Sequence, residues 1–161
     1  MMPVNWACEF FDGLRMRRRR IAHTMRILAV DPGEKKLGIA ISDPTGTIAN
    51  PLTIIKHNSR TIDAAAIAQL ATENQVDKII VGQALDEDNQ PTPEGRRAAR
   101  LAEAVRSQTS LPVEMWDESD STQAVWSARA QMGVSRHKRR GHLDDLAATY
   151  ILQTYLDQNI L

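Results

Sequence analysis

Residues 27–42 read Ile27-Leu28-Ala29-Val30-Asp31-Pro32-Gly33-Glu34-Lys35-Lys36-Leu37-Gly38-Ile39-Ala40-Ile41-Ser42. The continuous apolar run 27–30 predicts a short central strand buried on both faces. Pro32 and Gly33 predict the turn, at which Gly33 can take a positive φ that other residues resist. The apolar stretch 37–42 predicts a second strand, and so short a connection requires it to run antiparallel to the first. Residues 48–56 complete a three-stranded meander.

Further along the chain the rhythm becomes alternating helix and strand. Residues 61–74 predict a helix, because Ile62, Ala66 and Leu70 recur at i+4 with Ile67 beside them. The run Lys78-Ile79-Ile80-Val81-Gly82 predicts another buried strand, and residues 85–91 a polar, mobile loop. Thr92 is placed as an N-cap with Pro93 at the first helical position. That helix should bury Ala98, Leu101, Ala102 and Val105 and leave Arg96, Arg97 and Arg100 on an ordinary solvated surface. A fifth strand over 113–116 precedes a helix over 121–132 that Gly133 stops. A basic loop, 134–141, leads to a last helix over 143–156. A meander followed by alternating helix and strand predicts an α/β fold, a five-stranded mixed sheet with helices on both faces.

The 161 residues suit a single domain, assigned to 26–158, with no linker or internal repeat to divide it. One cysteine, Cys8, has nothing to pair with and suits a reducing cytoplasm. Twenty basic residues balance twenty acidic ones, so any nucleic-acid-binding surface must come from local clustering. Residues 1–25 differ from the rest: Trp6, Phe10 and Phe11 show no periodicity, and Arg15 and Arg17 to Arg20 follow them. A secretory signal has the opposite order, so the segment is expected to be a disordered basic extension, with Met25 a candidate start. The alternative is a basic arm that touches phosphates. No segment approaches the roughly 20 apolar residues of a membrane span.

The acids suggest the chemistry. Alternation puts Ile27, Ala29 and Asp31 on one face of the first strand and Leu28 and Val30 on the other. Asp117 and Glu118 follow the fifth strand, which should run parallel to the first. Asp31 and Glu118 would therefore emerge at one edge, where open α/β sheets place ligands. On the last helix Asp144 shares a face with Ala147, Ala148, Ile151 and Tyr155, whereas Asp145 goes with Thr149 and Gln153. Converging carboxylates need a cation, and an all-oxygen set suits magnesium or manganese. Two such ions can activate water against a phosphodiester without a nucleophilic side chain. Each acid also has a plainer reading: Asp31 as a turn residue, Asp144 and Asp145 as partners of the helix dipole, Asp117 as a cap.

Basic residues cluster beside these acids. Lys35 and Lys36 follow Asp31, and Arg136, Lys138, Arg139 and Arg140 precede Asp144. Together they could contact several phosphates, with affinity that falls steeply in salt. Stacking aromatics are few, so shape and backbone should dominate recognition.

In order and spacing, these segments resemble the Holliday-junction-resolvase-like, pre-16S rRNA nuclease family of the RNase H-like superfamily. The resemblance runs through 27–43, Val81-Gly82, 111–118, Gly133-Val134-Ser135-Arg136, 143–148 and 151–156. It implies strand order 3-2-1-4-5 and the metal-binding catalytic acids Asp31, Glu118 and Asp144; the helical-face reading leaves Asp117 and Asp145 in supporting or capping roles, and Gly33 is expected to support the site. It also implies maturation of the 5′ end of 16S rRNA by a cytoplasmic hydrolase, monomeric or dimeric. Three positions depart from the family pattern. Glu34 replaces a threonine, Ser119 an arginine, and Gly82-Gln83-Ala84-Leu85-Asp86 lacks a proline. Two other readings stay open: a dimeric resolvase of branched DNA, and a non-catalytic RNA-binding or regulatory module.

Overall fold

The computed structural model describes residues 25–117 and 139–159, and the side chains of 139–145 are not described. The expectations for residues 1–24, the helix over 121–132, Glu118, Ser119, Arg136 and Lys138 lie outside the described residues.

Five strands form one sheet: β1 (Ile27–Pro32), β2 (Lys36–Ser42), β3 (Ala49–Lys56), β4 (Lys78–Gln83) and β5 (Val113–Asp117). Their order is β3-β2-β1-β4-β5. β2 is antiparallel to both β1 and β3, while β1, β4 and β5 run parallel. The mixed sheet and its order are those expected.

The helices are α1 (Arg60–Glu73), α2 (Pro93–Gln108) and α3 (Arg139–Asn159). Strand alternation divides the core into two layers. Leu28, Val30, Ile79 and Val81 face a cluster with Ile67, Leu101 and Val105 of α1 and α2. Ile27, Ala29, Ala40 and Ile80 face Ala148, Ile151, Leu152 and Tyr155 of α3. Helices thus cover both faces.

Several local expectations change. Asp31 and Pro32 are still paired strand residues, opposite Gly38 and Leu37, so Asp31 is not a turn residue. Gly33 does not take a positive φ; among the described glycines only Gly46 does. Its constraint is proximity, since a Cβ on Gly33 would overlap the Lys36 carbonyl oxygen. In α1 the buried face is Asp63, Ala64, Ile67, Ala68 and Ala71, while Ile62 is 54% exposed. Small alanines let α1 lie close against α2, so the i+4 row through Ile62 loses to the row beside it.

The loop after β4 carries its own hydrogen bonds. Leu85 bridges Pro91, and the Asp86 carboxylate accepts from the amides of Asp88 and Gln90 at 3.0 and 2.8 Å. The last helix begins at Arg139, so Arg139 and Arg140 lie on its first turn and not in a loop. Asp144 and Asp145 then fall beyond the first turn, where the helix dipole has weakened. Gln153 ties the helix to the edge of the sheet: its amide oxygen accepts from the Ala49 amide at 3.0 Å, and its amide nitrogen donates to the Thr47 carbonyl.

Candidate active site

The geometry starts with Asp31, at the carboxyl end of the central strand. It has the parity of Ile27 and Ala29, which pack under α3, so it lies on the α3 face and is half-buried. Its cross-strand partner on β2 is Gly38. On β4 the residue one step beyond the Val30–Val81 pair is Gly82, which has the parity of Ile80 and the same face. The next strand over presents Trp116 opposite Gly82. With strands about 4.8 Å apart, Asp31 and Trp116 stand on the order of 10 Å from each other. Between them is glycine. Both glycines are buried, so Asp31 borders a covered stretch of the sheet that carries no side chain of its own.

These two flanking glycines were not singled out from sequence. Alternation could have found Gly82, because it follows Ile80 by two in a buried run. Gly38 needed the register, which only the paired strands supply.

Trp116 stands on the far side of Gly82 from Asp31. Its indole nitrogen donates to Thr154 Oγ1 at 3.2 Å, and its ring meets Tyr155 edge-on with centroids 5.1 Å apart. The tyrosine hydroxyl in turn lies 3.1 Å from Glu114 Oε2 and 3.0 Å from Lys78 Nζ. Lys78 and Glu114 also pair directly at 2.8 Å. The bond to Glu114 holds the Lys78 ammonium above its ordinary pKa, and the bond to Lys78 holds the Glu114 carboxyl below its own.

Asp117 has the parity of Val113 and Met115, which belong to the α1–α2 layer. It therefore lies on the opposite face from Asp31. Asp144 is on α3, eleven residues before Tyr155, about 16 Å along the helix axis. Lys35 sits exposed in the β1–β2 turn, and Lys36 opens β2 instead of belonging to that turn. Among the described residues no group of three metal-ligating side chains is brought together. Of the expected acid set, only the Asp31 side chain falls within what is described. No described helix is long and apolar enough to cross a membrane.

A central strand ending in a carboxylate, in a 3-2-1-4-5 sheet covered on both faces, defines the RNase H-like class to which resolvases belong. RuvC of Thermus thermophilus bound to a Holliday junction shares this fold, with a TM-score of 0.54 at 17% identity over 84% of this chain and 96% of that one. A family model described as RuvX, Holliday junction resolvase, matches residues 25–158. The chain belongs to that family. Among its relatives, a protein of Thermoanaerobacter pseudethanolicus named "Putative pre-16S rRNA nuclease" is 41% identical over 83% of this chain and 96% of its own length. One of the same name from Desulforamulus reducens is 37% identical over 83% and 97%.

Proposed function

We propose that the protein is a divalent-metal-dependent endonuclease that hydrolyses phosphodiester bonds, with the 5′ end of precursor 16S rRNA as its substrate. The observation that carries this reading is Asp31: a carboxylate on the α3 face of the central strand, flanked by Gly38 and Gly82, at the carboxyl edge of three parallel strands. The names of the relatives favour the ribosomal precursor, and that substrate implies a cytoplasmic location.

The acids proposed to hold the metal are Asp31, Glu118 and Asp144. Glu118 is the next residue in the chain after Asp117, the last of β5. Asp144 precedes Tyr155 by about 16 Å of helix, and the rise from Ile27 to Asp31 is about 13 Å. Since Tyr155 meets Lys78 at the amino end of β4, α3 has the length to bring Asp144 to the Asp31 edge. The donor set is all carboxylate, which fits magnesium or manganese and not zinc. When bound, such ions, one or two, would supply an activated water and charge neutralisation at the leaving oxygen. The protein's own part is to hold the carboxylates ionised and apart beside Gly38 and Gly82, whose lack of side chains leaves the Asp31 carboxylate uncrowded by its neighbours on β2 and β4. Lys35, Lys36, Arg136, Lys138, Arg139 and Arg140 would meet flanking phosphates. Asp117, on the other face, and Asp145 are assigned supporting roles, as is Gly33 in shaping the turn.

The family description favours a second substrate, branched DNA. The test is cleavage of a 16S precursor RNA and of a four-way DNA junction, with manganese or magnesium. Asp31→Asn should lower the rate at least about 100-fold, because several kcal/mol of transition-state charge stabilisation is lost, while the fold remains. Cleavage of neither substrate, or equal cleavage by the Asn variant, would sink the nuclease reading.

A further inference from the structure

On the sheet face opposite α3, at the same edge as Asp31, a recess of about 230 Å³ opens between the β1–β2 turn, α1 and α2. Its floor is apolar, formed by Pro32, Leu37 and Leu101, and its rim carries His57, Arg60 and Arg97. Asp63 also lines the recess and is only 1% exposed. Its carboxylate accepts from the Asn58 amide at 3.1 Å and from His57 Nδ1 at 2.5 Å. The imidazole is thereby fixed through one nitrogen, and its Nε2 bonds to none of the described residues. Arg60 likewise has no hydrogen-bond or ion-pair partner among the described residues. Arg97 has only a loose contact to Glu94, at 3.7 Å between exposed side chains.

We infer that this recess binds a phosphate group, that of the nucleic acid whose cleavage is proposed above. Two guanidiniums and an oriented imidazole form the donor set that phosphate oxygens take, and guanidinium offers it in bidentate form. The apolar floor lowers the local dielectric and strengthens those bonds. The volume argues for a group and not a whole ligand, since complete ligand pockets begin near 300 Å³ and a water takes about 30 Å³. A phosphate with part of its sugar fits. The recess is also tied to the proposed catalytic edge: the His57 amide donates to the Lys35 carbonyl at 2.9 Å, and Pro32 follows Asp31 directly. A strand held at Asp31 would round the Pro32–Gly33 edge and place a neighbouring phosphate here. No sequence pattern announces the site, because a strand end, a helix start and the second turn of the next helix contribute one residue each.

The experiment has two arms on the full chain. In the first, inorganic phosphate is titrated while the His57 imidazole resonances are followed by NMR. Saturable shifts are expected in the parent protein and none in the Arg60→Gln/Arg97→Gln double variant. In the second, binding of the precursor RNA and of the four-way junction is measured against salt. The variant should bind about tenfold more weakly, with a log–log salt slope smaller by about 1, and keep its rate at saturating substrate. Phosphate-dependent shifts with unchanged nucleic-acid affinity would assign the recess to a free phosphate ester and overturn the substrate contact. No saturable shift together with unchanged affinity would overturn the site altogether. Because the first arm needs no cleavage, failure of the Asp31 test would sink the nuclease reading and leave the phosphate site standing.

Discussion

Gly33 shows what a single position decides near the proposed catalytic edge. Its amide donates to the Asp31 carbonyl at 3.1 Å, closing the chain just after the strand. The turn is so tight that a methyl group would meet the Lys36 backbone, which cannot move aside as a flexible side chain would. Gly33→Ala should therefore destabilise the protein by about 1–3 kcal/mol, read as a lower midpoint in urea. A neutral or stabilising result would mean the turn relaxes without strain. At Asp43 the physics is local hydrogen bonding. Its carboxylate accepts from the Thr45 hydroxyl, and from the Ile48 and Thr47 amides at 2.8 Å each. Those bonds, that of Thr45 foremost, hold its pKa far below the ordinary 3.8.

Among the elements, α2 and α3 are held in different ways. At the start of α2 the Thr92 hydroxyl accepts from the Gly95 amide at 3.0 Å and donates to the Ala84 carbonyl at 3.0 Å. One side chain both caps the helix and ties it to the segment leaving β4. Thr92→Ala should cost about 1 kcal/mol, seen as a lower denaturation midpoint with an unchanged m-value. By contrast α3 is held by burial. Leu152 is fully buried among Ala29, Ala40 and Ile80. Leu152→Ala should cost about 2–5 kcal/mol, and hydrogen exchange along α3 should rise before that of β1. If α3 protection is unchanged in the variant, the helix is not held by this contact. Because α3 carries Asp144, the same variant should also weaken metal-dependent cleavage.

For the whole molecule, pH reads the Lys78–Glu114 pair, which joins β4 to β5, and the hydrogen-bonded Asp43 carboxylate. Glu114 and Asp43 have depressed pKa values, below 4.5 and 3.8. Their stabilisation is present above those ordinary values and lost as pH falls through the folded ones. Lys78 is raised above 10.5, so its contribution is present below that value and lost as pH rises through the folded one. The thermal midpoint should be flat between about pH 5 and 10 and fall on either side. Glu114→Gln should flatten the alkaline limb and leave the Asp43 part of the acid limb. Since Glu114 is half-exposed, solvent screening keeps the effect small. An unchanged alkaline limb in that variant would show that Lys78 is not held by Glu114.

How much was legible in the sequence depended on how local the signal was. The apolar runs 27–30 and 78–82, the short turn at Gly33 and the Thr92-Pro93 start of α2 are local, and each is found where its residues imply. Alternation likewise assigned Asp31 to the face with Ile27 and Ala29. The α1 face was misread because apolarity alone favoured Ile62, while close packing selected the alanines. The start of α3 was misread because Arg139 and Arg140 read as a basic loop and not as a helical turn. Strand order was available from the family resemblance; the residues alone yielded only a mixed sheet. Non-local placement belonged to the tertiary structure. Only strand register sets Gly38 and Gly82 on either side of Asp31, and only the packing of α1 and α2 brings His57, Arg60 and Arg97 around one recess. The sequence by itself thus determined the elements and the carboxylate at the end of β1, because strand burial and turn chemistry act over a few residues. The neighbours of that carboxylate on β2 and β4, and the cationic recess on the other face, were decided by contacts between segments distant in the chain, which no local pattern encodes.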